Sequence, residues 1–130
     1  MTLLELLIVI AILGLIATLG GVQLMGTFGQ TKVKTAQLQI DQLGLALDLF
    51  HLDVGRPPSS EETLAALLKP PQNVANWNGP YLKSETALLD PWGTLYLYRS
   101  PGEHGPYDLY TLGRDREAGG SGEDKDVISW

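Results

Sequence analysis

The residues with the most distinctive chemistry are carboxylates close to the C-terminal end of the chain. Residues 113–126 contain five acidic residues separated by glycines and by few apolar side chains: Asp115, Glu117, Glu123, Asp124 and Asp126. Ca²⁺ takes six to eight oxygen ligands from carboxylates and backbone carbonyls, so such a loop could wrap a cation. The EF-hand spacing is absent, and a segment this polar is also expected as a solvated, mobile loop. The residues alone leave both interpretations open, although apolar Val127, Ile128 and Trp130 predict a docked end.

A second distinctive residue is Glu5, the only acidic residue in a strongly apolar N-terminal segment. No Lys, Arg, Asp or Glu occurs from Leu6 to Thr31. A charge in hydrocarbon costs at least ~2.5–3.5 kcal/mol and usually faces a partner, a water-filled cavity or a protein interior. The nearest positive group is the α-amino group of Met1. We therefore expect Glu5 to pair with such an amine in a neighbouring copy, which would fix the register between copies.

The sequence offers no constellation typical of an enzyme. There is no nucleophile–base arrangement, phosphate-binding glycine loop or zinc spacing, and the chain has 0 Cys. Its two histidines, His51 and His104, stand in unrelated contexts. Paired carboxylates can hydrolyse glycosides, but a small domain beside a long helix offers little room for a cleft. The net charge of −6 argues against nucleic acid as a partner. We predict that the chain is not an enzyme.

The element that carries Glu5 is long enough to cross a bilayer. Residues 3–25 are almost all Leu, Ile, Val, Ala and Gly, and about 20 apolar residues span a membrane as a helix. Three interpretations remain open: a secretory signal peptide, disfavoured because no Lys or Arg precedes Lys32; an ordinary transmembrane anchor; and a segment that packs against copies of itself. We therefore divide the chain into a hydrophobic helix, residues 1–30, and a domain, residues 31–130.

The hydrophobic pattern predicts that this helix continues into the domain. Apolar residues recur at spacings of three and four, which is typical of an amphipathic helix: Val33, Ala36, Ile40, Leu43, Leu47 and Phe50. We predict one helix from about Leu3 to about Leu52. A capping box of Ser59 and Glu62 then predicts a short helix over residues 63–68.

The remaining elements predict a small antiparallel sheet. Residues 95–98 and 107–112 alternate Leu and Tyr and should form a hairpin, while residues 127–130 form either a last strand or a closing turn. Trp77 and Tyr81 are expected to pin the loop that carries them onto the core. The predicted fold class is α+β: a long N-terminal helix packed on a small antiparallel sheet, with a C-terminal calcium-type loop.

The first residues resemble a known superfamily. Residues 2–14, TLLELLIVIAILG, are similar to the N-terminus of type IV pilins and type II secretion pseudopilins. The resemblance implies that a prepilin peptidase removes a basic leader, that Met1 is the N-methylated mature N-terminus, and that Glu5 is the assembly glutamate. Where Val22 stands the family often has Pro, which marks a helix segment that can melt. Gly20 and Gly21 could supply the same weak point, or could instead allow close helix packing.

Three C-terminal motifs resemble the major pseudopilins of type II secretion systems more specifically. They are DPWG at residues 90–93, PGEHGPYDLYTLGRD at residues 101–115 and GGSGEDKDVISW at residues 119–130. The resemblance implies a calcium ion in the acidic loop, held by carboxylates of Asp115, Asp124 and Asp126. The carbonyls of Leu112 and Glu117 and an oxygen of Ser121 would complete its ligands. Lys125 stands between two of these residues, where it lowers the affinity unless its side chain points to solvent. Arg114 and Arg116 are also expected to temper the site.

The function implied by the resemblance is that of a filament subunit. It would wait in the bacterial inner membrane as a single-pass protein with its domain in the periplasm. It would then polymerise into the pseudopilus that drives type II protein secretion, with minor pseudopilins and an inner-membrane assembly platform as partners. Two alternatives are a type IV pilus subunit for adhesion or motility and a membrane-anchored calcium-binding domain. The first usually carries a C-terminal disulfide loop, which a chain with 0 Cys cannot form.

Overall fold

A single long helix organises the computed structural model, which describes residues 2–16 and 29–130 and, between them, only the backbone course. Helix α1 runs over Leu3–Val54, 52 residues, and confirms the predicted helix. Thr2 is its N-cap residue. Gly55 is its C-cap residue, whose φ of 90° suits glycine and whose N–H donates to the carbonyl of His51 at 2.8 Å.

The second half of α1 supplies one side of the hydrophobic core. Five members of the predicted stripe are fully buried, and Val33 is partly buried beside them: Ala36, Ile40, Leu43, Leu47 and Phe50. They pack with Leu64, Leu67, Leu109 and Val127 from the rest of the domain. The periodicity of three and four thus identified the buried face correctly.

The predicted short helix differs in type and in its start. The capping box is present: the Ser59 N–H donates to Glu62 Oε2 at 2.8 Å, and the Glu62 N–H donates to Ser59 Oγ at 3.1 Å. However, these bonds close a turn at residues 60–62. A 3₁₀ helix then begins separately at Leu64–Leu67, with Thr63 as its N-cap at a φ of 60°. The chain turns at Thr63, so the helix cannot continue from the capping box. Two further 3₁₀ helices cover Glu85–Leu88 and Gly122–Asp124.

The sheet has three short antiparallel strands in the order β1–β2–β3: β1 Leu97–Arg99, β2 Asp108–Thr111 and β3 Val127–Ile128. Tyr98 pairs with Leu109, and Thr111 pairs with Val127. The predicted hairpin is confirmed, and the C-terminal segment forms a strand. β1 starts later than predicted because Leu95 forms a separate antiparallel bridge with Leu89.

Buried polar contacts hold the loops onto this framework. Asp90 is buried, and its carboxylate accepts hydrogen bonds from the N–H groups of Trp92 (3.0 Å) and Thr94 (2.8 Å) and from the hydroxyl of Thr111. The Trp77 indole donates to the carbonyl of Ala66 at 2.7 Å. These bonds tie the loops to the sheet and the first 3₁₀ helix, as the pinned-loop prediction for Trp77 required.

Candidate functional site

The acidic loop, residues 113–126, lies between the paired strands β2 and β3, so both of its ends are fixed. It folds tightly on itself at two glycines. At Gly113, with φ of 79°, a Cβ would lie 2.7 Å from the carbonyl oxygen of Glu123. At Gly120, with φ of 98°, it would lie 2.6 Å from that of Asp124. No other residue fits these positions without a backbone shift, because both contacts are to main-chain atoms.

Two of the predicted calcium ligands brace the loop through its backbone. Asp115 Oδ1 accepts a hydrogen bond from the N–H of Glu117 at 3.1 Å, and Asp126 Oδ2 accepts one from the N–H of Gly119 at 3.0 Å. The other oxygen of Asp126, Oδ1, is buried without a hydrogen-bond partner among the residues described. A buried carboxylate oxygen left unpaired is costly, which makes it the strongest local indication of an additional ligand.

The third predicted carboxylate, Asp124, is engaged by an arginine. Arg114 donates from Nε to Asp124 Oδ1 at 3.0 Å and from Nη2 to Asp124 Oδ2 at 3.2 Å. Its Nη1 also reaches Glu123 Oε2 at 3.1 Å. These hydrogen bonds, led by the one to Asp124, raise the pKa of Arg114. Arg114 was expected to temper the proposed calcium site, and its hydrogen bonds to Asp124 give a physical basis for that expectation.

The loop therefore brings its carboxylates into one region without gathering them around one point. Across the described parts of the chain, no group of three or more His, Cys, Asp or Glu side chains is arranged to hold a metal ion. The donor set nevertheless suits a hard cation: all six predicted ligands offer oxygen, and one carboxylate oxygen is buried and unpaired. Lys125, which stands between two of the predicted ligands, is exposed to solvent.

The acidic loop also docks onto α1, a contact that was not predicted from the sequence. The 3₁₀ helix Gly122–Asp124 packs against α1. Gly29 of α1 is buried there, and a Cβ at that position would lie 2.9 Å from Cγ of Glu123. The available signal was a glycine inside a long helix, where it costs about 1 kcal/mol relative to Ala and so usually has a packing reason.

The docked end predicted from Val127, Ile128 and Trp130 is confirmed for Val127, whereas Ile128 and Trp130 remain exposed. Val127 is buried, and the Trp130 ring stacks on His104 with ring centroids 4.2 Å apart. His104 in turn contacts the buried carboxylate of Asp108 at 3.3 Å. The loop thus has a fixed C-terminal side as well as a fixed N-terminal side.

At the other end of the molecule, Glu5 is part of a capping box. The Glu5 N–H donates to Thr2 Oγ1, and the Thr2 N–H donates to Glu5 Oε2, both at 3.2 Å. This second role of Glu5 was readable from the sequence, since T-x-x-E is the capping-box signature. Met1, the predicted methylated N-terminus, lies outside the described residues, and at Gly20 and Gly21, the predicted weak point, only the backbone course of α1 is described.

The described part of the apolar N-terminal segment is exposed to solvent in a single chain. Residues 2–16 are exposed throughout, including Leu3, Ile10 and Ile16. Within the described stretches, no helix combines the length and the apolar content that crossing a membrane requires.

The sequence of this chain matches a known protein family and several of its members. The family profile described as type II secretion system (T2SS), protein G, matches residues 23–130. The type II secretion system core protein G of Pseudomonas aeruginosa is 42% identical over 133 residues, which cover 99% of this chain and 92% of the relative. That of Vibrio cholerae is 37% identical, covering 99% of this chain and 89% of the relative.

A solved structure agrees with these sequence relatives. The crystal structure of the major pseudopilin from the type 2 secretion system of enterohaemorrhagic Escherichia coli has a TM-score of 0.66 to this chain. The two are 27% identical, and the match covers 82% of this chain and 93% of the other. The resemblance to major pseudopilins is therefore confirmed. The chain belongs to the type II secretion system protein G family.

Proposed function

We propose that this chain is the structural subunit that polymerises into the periplasmic pseudopilus of a type II secretion system. The observation that carries the proposal is helix α1, whose second half forms the domain core while residues 2–16 stay exposed. So many exposed apolar side chains on one helix must be shielded from water by a partner or a membrane. A bundle of the same helix from neighbouring copies would provide one, with the small domains arrayed outside.

Before assembly, the bilayer would provide the cover instead. The sequence supports this, because no charged residue occurs between Leu6 and Thr31. We propose a single-pass location in the bacterial inner membrane with the domain in the periplasm, after a prepilin peptidase has removed a leader and Met1 has been N-methylated. An inner-membrane platform and minor pseudopilins would then guide extraction of the helix into the filament. The growing filament would push folded substrates through the outer membrane, which is a structural rather than an enzymatic role.

Glu5 would set the register between neighbouring copies. Its Oε2 is already bonded to the Thr2 N–H, and a carboxylate has two oxygens that can each accept more than one bond. The N-terminal amine of an adjacent copy can therefore bind Glu5 without breaking the capping box. A neighbour shifted along the helix would leave the charge unpaired in an apolar surrounding, which is costly.

The acidic loop would hold a calcium ion that fixes its fold. The strongest support is Oδ1 of Asp126, which is buried and has no hydrogen-bond partner among the residues described. The other ligands would be the carboxylates of Asp115 and Asp124, the carbonyls of Leu112 and Glu117 and an oxygen of Ser121. On calcium binding, Arg114 would give up its hydrogen bonds to Asp124, so that Asp124 can bind the ion. When bound, the ion would neutralise the carboxylates and crosslink both halves of the loop. Because Glu123 seats against Gly29, the same ion would steady the contact between the loop and α1.

Deletion of the gene tests the function against its main alternative. Loss of the chain should abolish secretion of folded type II substrates while leaving adhesion and twitching motility unchanged, and restoring the gene should restore secretion. Intact secretion with lost motility would instead identify a type IV pilus subunit. A monomer that stays in the membrane and serves neither process would identify a membrane-anchored calcium-binding domain.

A further inference from the structure

A groove lies at the end of the domain from which the apolar half of α1 emerges. Its volume is about 520 Å³, with α1 as one wall and the acidic loop as the other. The residues that characterise it are Gly29, Val33, Lys34, Glu123 and Lys125. Gly29 is buried and Val33 is half-buried, whereas both lysines are exposed. We call this surface the basal groove.

The basal groove carries charges of both signs. Within residues 2–16 and 29–130, neither Lys34 nor Lys125 forms an ion pair. The Glu123 side chain is 24% exposed, and its Oε2 accepts a hydrogen bond from Arg114 Nη1 at 3.1 Å. Because each carboxylate oxygen can accept more than one bond, Glu123 can bind a further donor. The groove therefore suits a ligand that carries an anion next to a hydrogen-bonding cation, together with an apolar part that contacts Val33.

The position of the basal groove along α1 matches the surface of a bilayer. No charged residue occurs between Leu6 and Thr31, and α1 rises about 39 Å from Leu3 to Gly29, at about 1.5 Å per residue. The hydrocarbon core of a bilayer is about 30 Å thick, and the headgroup layers bring the total to about 40–45 Å. With Leu3 at one hydrocarbon boundary, Gly29 lies past the other, at the level of the lipid headgroups.

We propose that the basal groove binds the headgroup of a phosphatidylethanolamine lipid while the chain is in the membrane, an inference that rests on the proposed location before assembly. The lipid phosphate meets the ammonium groups of Lys34 and Lys125, and the ethanolamine ammonium donates to Glu123. The glycerol and the start of an acyl chain contact Val33. The bound lipid holds the domain against the bilayer and is given up when the helix is extracted.

The charge of the chain favours this headgroup over the other common ones. An anionic headgroup would bring a further negative charge to a chain of net charge −6 and to a loop with five acidic residues. A phosphatidylcholine headgroup has the same charges as phosphatidylethanolamine. Its quaternary ammonium has no N–H, however, so it cannot donate a hydrogen bond to Glu123. The three headgroups therefore separate the contributions of the lysines and of Glu123.

Lipid retention by the full-length chain tests the proposal. The chain is reconstituted in nanodiscs of equimolar dioleoyl phosphatidylethanolamine and dioleoyl phosphatidylcholine, and native mass spectrometry identifies the lipids that stay bound on release. Lipids that merely surround the apolar helix are retained in the bulk ratio. The last lipid retained should favour ethanolamine over choline about fivefold, the size expected for one partly exposed charged contact. Phosphatidylglycerol in place of phosphatidylethanolamine should show a smaller preference.

Variants assign the preference to the basal groove. Lys34→Gln/Lys125→Gln should return the retained lipids to the bulk ratio. Lys32→Gln/Lys83→Gln, which removes the same charge from two exposed lysines outside the groove, is the matched control and should keep the preference. Glu123→Gln should bring ethanolamine and choline lipids to equal retention.

The outcomes separate this inference from the proposed function. Retention in the bulk ratio by a chain that is inserted in nanodiscs, and that forms filaments with its own secretion apparatus, would overturn the lipid site and leave the pseudopilus role intact. Equal loss of preference in both double variants would show a general charge effect and overturn the site, as would phosphatidylglycerol retained as strongly as phosphatidylethanolamine. A chain that does not enter nanodiscs at all would overturn the membrane location and the lipid site together.

Discussion

Glu62 is held by two donors that favour its ionised form. Arg56 forms a paired contact, Nη1 to Oε2 and Nη2 to Oε1, both 2.8 Å, and the Ser59 N–H adds a third bond. The Arg56 hydrogen bond is the main cause that lowers the pKa of Glu62 from its ordinary 4.5 to about 2. Because the native state favours the charged carboxylate, its contribution to stability is fully present above pH 4.5. It is lost as pH falls toward 2.

We therefore predict a pH-dependent stability difference between the parent chain and Glu62→Gln. Arg56 is 46% exposed, so solvent screening limits the effect to about 1–2 kcal/mol above pH 4.5. The difference should disappear as pH approaches 2. Urea unfolding of both chains over this pH series measures it, with Glu61→Gln as the control for an exposed neighbour. A difference that stays constant across the series would contradict the ion-pair explanation.

Asp90 is a buried carboxylate with three hydrogen-bond donors around it. We predict that Asp90→Ala lowers the free energy of unfolding by about 2–4 kcal/mol, because it leaves buried donors of the turn unpaired. Glu85→Ala, at an exposed position nearby, should change it by less than about 0.5 kcal/mol. Equal effects from the two variants in chemical denaturation would show that the Asp90 network contributes little.

At the scale of elements, the acidic loop offers a matched pair of glycines. Gly113 and Gly119 both have positive φ, 79° and 86°, but only Gly113 has backbone atoms where a Cβ would stand. Gly119→Ala should therefore cost about 1 kcal/mol for the backbone conformation alone. Gly113→Ala should cost more, about 2–4 kcal/mol, since the loop must also open. Unfolding experiments and protease cleavage of the loop report both, and similar behaviour of the two would refute the tight folding around Gly113.

The calcium proposal belongs to the same element. Calcium at 100 times its dissociation constant should stabilise the native state by about 3 kcal/mol, and a chelator should remove that gain. Asp126→Ala should abolish the calcium-dependent rise in Tm, while Lys125→Ala, at an exposed neighbour, should retain it. Thermal melts with and without chelator measure this. Identical melts of the parent chain under both conditions would remove calcium from the account.

Sequence periodicity predicted those helices and strands that bury one regularly spaced apolar face. The stripe from Ala36 to Phe50 fixed helix α1, and the alternating Leu and Tyr residues fixed the hairpin. The 3₁₀ helices and the start of β1 were not predictable in this way. Thr63 breaks the expected helix through its positive φ, and Leu95 pairs with Leu89 because the Asp90 turn folds them together.

The candidate site was predictable by composition but not by geometry. The acidic residues pointed to the loop, yet the pairing of Arg114 with Asp124 joins residues ten positions apart. The seating of Glu123 on Gly29 joins residues still further apart in the chain. Both contacts depend on how the loop folds between β2 and β3. No local pattern encodes that arrangement.

At the scale of the whole molecule, both ends of the chain would contribute to assembly of the filament. The exposed apolar half of α1 would join copies, and the domain with its acidic loop would control where the copies lie. We predict that Glu5→Ala leaves membrane insertion and domain folding intact but prevents assembly. Without the carboxylate, no ion pair with the neighbouring N-terminal amine would favour the correct register over a shifted one. Glu5→Asp, which retains the charge, is expected to recover part of the assembly. Sedimentation of crude filaments with a membrane-fraction control measures this, and normal assembly of Glu5→Ala would contradict the register role.

The most direct test of the central claim is electron microscopy of the full-length chain, overproduced together with its own secretion apparatus. The chain should form thin helical filaments that an antibody to the domain labels along their length. If the chain accumulates folded and membrane-bound under these conditions and yet no filament is seen, it is not the subunit of a pseudopilus.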